Sequence, residues 1–282
     1  MDPRPPFRSS PEHGDHQPMR NLVFGDDRSL QADRAWLWIN NQRWPNWHVD
    51  VVTASAPSSP WANTGREIKL QAWDPEAPRP ATQGTGIAGI RHLSTEADAR
   101  VALTACTDAD LLVIGPRASS GIQAAYLGSV MDYVIRHAPV PVLITTVPNP
   151  ANRILVCTDG SEEAERAIET VAALPLAHDA EQMVVVGVAT VGIYDPRPEI
   201  DAAVDRGVQM LSEFNAEGIR IHTDGDAVGA VYSRLVDMRS QLLVLGTRGL
   251  TGLRRLAMGS FANSLVRVAP CSILVVPSSE NT

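Results

Sequence analysis

Gly246, Gly249, Gly252 and Gly259, the last followed by Ser260, crowd into the stretch LLVLGTRGLTGLRRLAMGSFANSLVRVAPCSILVV, residues 242–276. Residues of these types at a helix start bind phosphate. Glycine lets backbone approach a ligand closely. The first amides of a helix have no partner within the helix and attract anions, aided by the helix dipole. A helix opening at Gly259 offers the amides of Gly259, Ser260 and Phe261, and the Ser260 hydroxyl adds a donor. No Gly-Lys-[Ser/Thr] occurs, and Lys69 is the only lysine, so a lysine-based phosphate loop is excluded. The remaining means are amides, hydroxyls and arginine. Arg248, inside the glycine run, points to phosphate by its charge alone. Any one of these glycines reads equally as a turn or cap residue; the full spacing, present twice, reads as a cradle.

The second appearance is LLVIGPRASSGIQAAYLGSVMDYVIRHAPVPVLIT, residues 111–145. Without a gap, Gly115 falls on Gly246, Arg117 on Arg248, Gly121 on Gly252, Gly128 on Gly259 and Ser129 on Ser260. This is a tandem duplication. The units also begin alike: NLVFGDDRS (21–29) matches RILVCTDGS (153–161), each ending in Asp-x-Ser. Asp159, and Asp27 in the first unit, place a carboxylate after the first strand. It can accept a hydrogen bond from a base or ribose. The other reading of Asp159 is a helix cap, since Asp159-x-x-Glu162 has capping-box spacing; Leu30 stands at the box position of the first unit. Ala118 replaces the second glycine there, which implies weaker or absent ligand binding in unit one.

The elements that must position these groups are legible. In unit two, the apolar runs at 153–158, 183–190, 219–223, 241–246 and 272–277 alternate with helix-periodic stretches at 161–174, 199–214, 227–238 and 258–268. Val-, Ile- and Leu-rich strands alternating with amphipathic helices predict βαβ units on a parallel sheet. Ligands of open α/β sheets bind beyond the strand C-termini, where these glycines fall. Unit one departs after WHVDVVTA (47–54): a Pro-rich segment with Trp61 and Trp73 predicts a long loop in place of a crossover helix. The six tryptophans, all in unit one, read as core and loop packing.

The expected organisation is a disordered tail over 1–19, a first domain over 20–147 and a second over 152–278. The net charge of −8 argues against a nucleic-acid surface. No apolar run is long enough for a membrane helix. The N-terminus lacks the apolar core of a signal peptide. Cys106, Cys157 and Cys271 show no pairing pattern and the seven histidines do not cluster, so neither disulfide nor metal is expected, and a cytoplasmic location fits. No spacing reads as a catalytic triad or paired carboxylates.

Gly246-x-x-Gly249, nine residues, then Gly259-Ser260, with CTDGS after the first strand and Gly225-Asp226 at a helix start, resembles the universal stress protein family in its tandem two-domain form. The resemblance spans about residues 20–278. It implies two tandem three-layer α/β/α sandwiches with parallel five-stranded sheets, of the adenine nucleotide α-hydrolase-like kind. It implies ATP as ligand, with Mg2+ held mainly by the phosphates. Carried over, Asp159 and Val188 serve adenine and ribose, the Gly246–Gly249 turn the ribose and α-phosphate, and Gly259, Ser260 and Phe261 the β- and γ-phosphates. Asp27, Gly115, Arg117, Gly128 and Ser129 would form a weaker second site. The implied role is regulation of stress response or dormancy, through nucleotide-dependent conformation or an unidentified protein partner. Slow ATP hydrolysis or phosphoryl transfer, with Arg254 and Arg255 stabilising charge, and a nucleotide-free interaction module are the competing classes. The two domains are expected to pair as an intramolecular pseudo-dimer through PVLITT and SILVVP; a homodimer of the chain is a further expectation.

Overall fold

The structure, a computed structural model, describes residues 19–55, 69–115, 128–190, 195–249 and 258–278. The expectations placed on residues 1–18, Trp61, Arg117, Ala118, Gly121, Gly252, Arg254 and Arg255 lie outside these residues. Unit one contains β1 (Arg20–Gly25), α1 (Leu30–Asn40), β2 (Trp47–Ala54), β3 (Gln71–Ala72), β4 (Gly89–Thr95), α2 (Ala99–Thr104), β5 (Leu111–Ile114), α3 (Ser129–His137) and β6 (Val142–Ile144). Unit two contains β7 (Arg153–Thr158), α4 (Glu162–Ala172), β8 (Gln182–Thr190), α5 (Arg197–Met210), β9 (Glu217–Thr223), α6 (Ala227–Asp237), β10 (Leu242–Gly246), α7 (Ser260–Val268) and β11 (Ser272–Val276).

The strands lie in the order β3-β4-β2-β1-β5-β6-β11-β10-β7-β8-β9 within one sheet of 11 strands. Neighbours are parallel except β3 with β4 and β6 with β11. Central strands such as β11 are buried at every residue, as a sheet covered on both faces requires. Successive side chains feed opposite layers: Leu242 and Val244 join the core under α1 and α4, and Leu243 and Leu245 the core under α3 and α7.

The units meet through the antiparallel pair β6–β11, with Leu143 opposite Leu274. Above it, Arg136 of α3 donates to Asn263 of α7 at 3.2 Å, and Arg267 of α7 reaches Asp132 of α3 at 3.8 Å. Asp132 and Arg136 are the duplicates of Asn263 and Arg267, so one contact is made from each side of an approximate two-fold axis.

Unit one differs in its middle. Among the described residues no helix lies between β2 and β4; the two-residue β3 adds an antiparallel sixth strand at the edge. In unit two α5 fills this place. It packs so tightly on β8 that a side chain on Gly187 would lie 2.6 Å from Val204 and 2.7 Å from Ile200.

Cys106, Cys157 and Cys271 are free thiols, all buried. Burial, the largest cause in each, pushes Cys106 up to about 11, Cys271 up to about 12 and Cys157 higher still. The thiolate is the reactive form. In mildly alkaline buffer the folded chain is therefore expected to leave a disulfide reagent uncoloured, and denaturant to release all three thiols.

Candidate functional site

β7 ends at Thr158, and the chain turns through Gly160 at φ +80°, a left-handed conformation that suits glycine. The Thr158 hydroxyl accepts from the Gly160 amide at 3.2 Å. Asp159 Oδ1 accepts from the Ser161 amide at 3.0 Å and the Ser161 hydroxyl at 2.6 Å. Ser161 in turn caps α4, its Oγ accepting from the Ala164 amide at 3.3 Å. The capping-box reading of Asp159 and Glu162 is thereby replaced: Ser161 is the N-cap, and Asp159 holds it from outside the helix. Unit one repeats the device, with Asp27 accepting from the Ser29 amide at 3.0 Å and Ser29 capping α1. Asp159→Ala is expected to cost about 1 kcal/mol as the cap loosens, read as a lower melting temperature.

Facing Asp159, β10 ends at Gly246. The Thr247 amide donates to Val276 at 2.9 Å, and Thr247 O accepts from the Gly259 amide at 2.7 Å. The Gly259 amide is thus already used by the fold, against the expectation that it serves phosphate. The first helical bond of α7 runs from the Asn263 amide to Gly259 O at 2.9 Å. Among the described residues the Ser260 and Phe261 amides, which precede it, have no acceptor.

The three glycines do different work. A Cβ on Gly246 would lie 2.8 Å from the backbone and Cβ of Glu163 in α4, so this glycine is demanded by helix packing rather than by a ligand. Gly115 shows the same against Gln31 of α1, at 2.8 Å. A Cβ on Gly249 would fall on the Asp159 carboxylate. Gly259 has φ −69°, open to any residue, and among the described residues a Cβ there would find nothing nearer than Thr247 O at 3.6 Å. Nothing among the described residues requires glycine at 259, and a bare backbone there leaves the start of α7 approachable.

Between these two walls lies a cavity of about 560 Å3. Asp159, Val188, Gly246, Arg248, Gly249, Gly259, Ser260 and Phe261 all line it. Cys157, Pro196, Ile200 and Ala227 also line it, unanticipated from sequence. The first turn of α5 follows β8 at the C-terminal edge of the sheet, and that position is the signal that marks Pro196 and Ile200 in retrospect. Among the described residues no group of three His, Cys, Asp or Glu is placed to hold a metal.

Unit one has a corresponding cavity of about 190 Å3. Asp27, Gly115 and Gly128 line it; Ser129 does not, and Val130 and Met131 take the wall instead.

The family model described as "Universal stress protein family" matches this chain twice, over residues 19–146 and 150–277. The chain belongs to the universal stress protein family. A Thermus aquaticus universal stress protein is 30% identical over 132 residues, covering 44% of this chain and 96% of the relative. A universal stress protein of Archaeoglobus fulgidus has the same fold along the tandem, with TM-score 0.64, 14% identity, and 92% and 98% of the two chains covered. A protein from Pseudomonas aeruginosa described as a putative universal stress protein gives TM-score 0.58 at 15% identity over 93% and 95% of the two chains. This universal stress protein is therefore a tandem of two family domains in one chain, its sheet mostly parallel and flanked by helices. Among the described residues no helix is long and apolar enough to cross a membrane.

Proposed function

We propose that this universal stress protein binds one adenine nucleotide, ATP, in the unit-two cavity, and regulates stress response or dormancy through the conformation or partner contacts that the nucleotide sets. The observation that carries the reading is the start of α7: a glycine whose Cβ position is clear and two following amides without acceptors, both among the described residues, opening on a cavity of about 560 Å3. That volume lies within the range of small-molecule sites, roughly 300–1,000 Å3. Helix-start amides suit phosphates. The apolar wall of Val186, Val188, Pro196 and Ile200 suits a base, and Asp159 on the opposite side offers an acceptor to ribose or base hydroxyl and amino groups. Mg2+ would ride mainly on the phosphates. The domains of this reading run over 20–147 and 152–278. Three buried reduced thiols suit a cytoplasmic setting.

Chromatography of the supernatant after heat-denaturing the purified protein tests the reading, followed by calorimetric titration of ligand-free protein with ATP. Adenine nucleotide in the supernatant and a stoichiometry near one per chain are expected. A protein that carries none and gives no heat with ATP has some other role, and the interaction-module class replaces this one.

A further inference from the structure

Unit one carries a buried ion cluster with no counterpart among the described residues of unit two. Asp26 follows β1 at the position where Thr158 ends β7, and Arg28 stands at φ +60° where unit two has Gly160. The Asp26 side chain is wholly buried. Arg79 forks onto it, Nε to Oδ2 and Nη2 to Oδ1, both at 2.8 Å, and its remaining arm reaches Asp33 of α1 at 2.6 Å. Arg28 closes the other side, its amide 2.9 Å from Asp26 Oδ1 and its guanidinium over the Trp73 ring at 5.3 Å.

Arg79 belongs to the segment that replaces the crossover helix, and residues 73–85 of that segment are pinned at several points. Trp73 N donates to His92 O at 3.0 Å and Arg79 N to His92 Nε2 at 2.9 Å. Trp36 Nε1 of α1 donates to Pro80 O at 3.0 Å, and Thr82 N to Asn40 Oδ1 at 2.6 Å. Trp44 N donates to Thr85 O at 2.5 Å. A wholly buried carboxylate has to be paired, and a bidentate guanidinium is the strongest side-chain partner available to it.

We propose that residues 73–86 are a strap whose Arg79 guanidinium occupies Asp26, the buried carboxylate beside Asp27 in the wall of the unit-one cavity, closing that unit to nucleotide whatever residue occupies position 118. Two observations join here. Asp26 lines the smaller cavity, and both its oxygens are taken by Arg79 and Arg28. The strap also stands in place of α5, which in unit two supplies Pro196 and Ile200 to the cavity wall. The half of the proposal concerning nucleotide rests on the reading of unit two given above.

Hydrogen exchange on the full chain, read by mass spectrometry over peptides covering 73–88, tests the latch without nucleotide. Arg79→Ala is expected to speed exchange there by roughly tenfold or more while peptides of α4 stay as in the wild type. Arg79→Lys keeps the charge but loses the fork, and should fall between; it serves if the alanine variant does not fold. Unchanged exchange of the strap in both variants overturns the latch. In parallel, Ala118→Gly restores the glycine motif of unit one. ATP titration of this variant should still saturate near one site per chain, and a rise to two overturns the closure. A wild type without any ATP binding defeats the proposed function instead, and leaves the exchange experiment to decide the strap.

Discussion

Gly259→Val is expected to weaken ATP binding by about a hundredfold or more and to leave the fold standing. A β-branched side chain at 259 projects over the amides of Ser260 and Phe261. Hydrogen bonds to charged groups contribute about 1.5–3 kcal/mol each, so losing two removes on the order of 3 kcal/mol, or about two decades in Kd. The stability cost is small by comparison. At φ −69° valine is unstrained, its Cβ meets only ordinary contacts among the described residues, and no side-chain cap is lost because Gly259 supplies none. The exchange of glycine for valine at an N-cap costs under about 1 kcal/mol. Calorimetric titration beside a thermal melt separates the two effects. Gly128→Val, the same change in unit one, should alter nucleotide binding little, since that cavity has about a third of the volume. If Gly259→Val binds like the wild type, or Gly128→Val is the variant that fails, the site belongs elsewhere.

The parts of this molecule that were legible in sequence are those written in local periodicity. The Val-, Ile- and Leu-rich runs of unit two became β7 to β11, and each helix-periodic stretch between them became a helix. Residues on strand ends and helix starts then had to converge, because a parallel sheet brings all its C-terminal edges to one side. What was not legible depends on partners far along the chain. Nothing near Asp26 announces Arg79, 53 residues away. The Pro-rich segment showed the loss of a helix, but a loop's pinning points have no period to read. Asp159 illustrates a subtler limit: Asp-x-x-Glu and Asp-x-Ser overlap in the same four residues, and only hydrogen-bond geometry shows that Ser161 is the cap. The glycine motif, likewise, reads as one unit in sequence while its members answer to different demands.

That division predicts the opposite outcome at the other end of the motif. Gly246→Ala is expected to destabilise the protein by about 3 kcal/mol, the upper end of the cost of overpacking a well-packed core. The added Cβ would stand 2.8 Å from three Glu163 atoms, two of them backbone, where no side chain can swing aside. Relief requires α4 to lift from β10, and α4 is fixed by Ala164, Ala167, Ile168 and Val171 buried beneath it. For a chain of this size each kcal/mol moves the melting temperature by roughly 2–4 °C, so a fall of about 6–12 °C should be read in a thermal melt. Gly115→Ala should behave similarly, since its Cβ would meet Gln31 O of α1 at 2.8 Å. Gly259→Ala should melt close to the wild type, because its Cβ has 3.6 Å of clearance. Any loss of ATP affinity in Gly246→Ala should follow the loss of folded protein and vanish when the titration is made well below the melting transition. A Gly246→Ala protein as stable as the wild type but unable to bind ATP would return this glycine to the ligand, and the packing argument would fall.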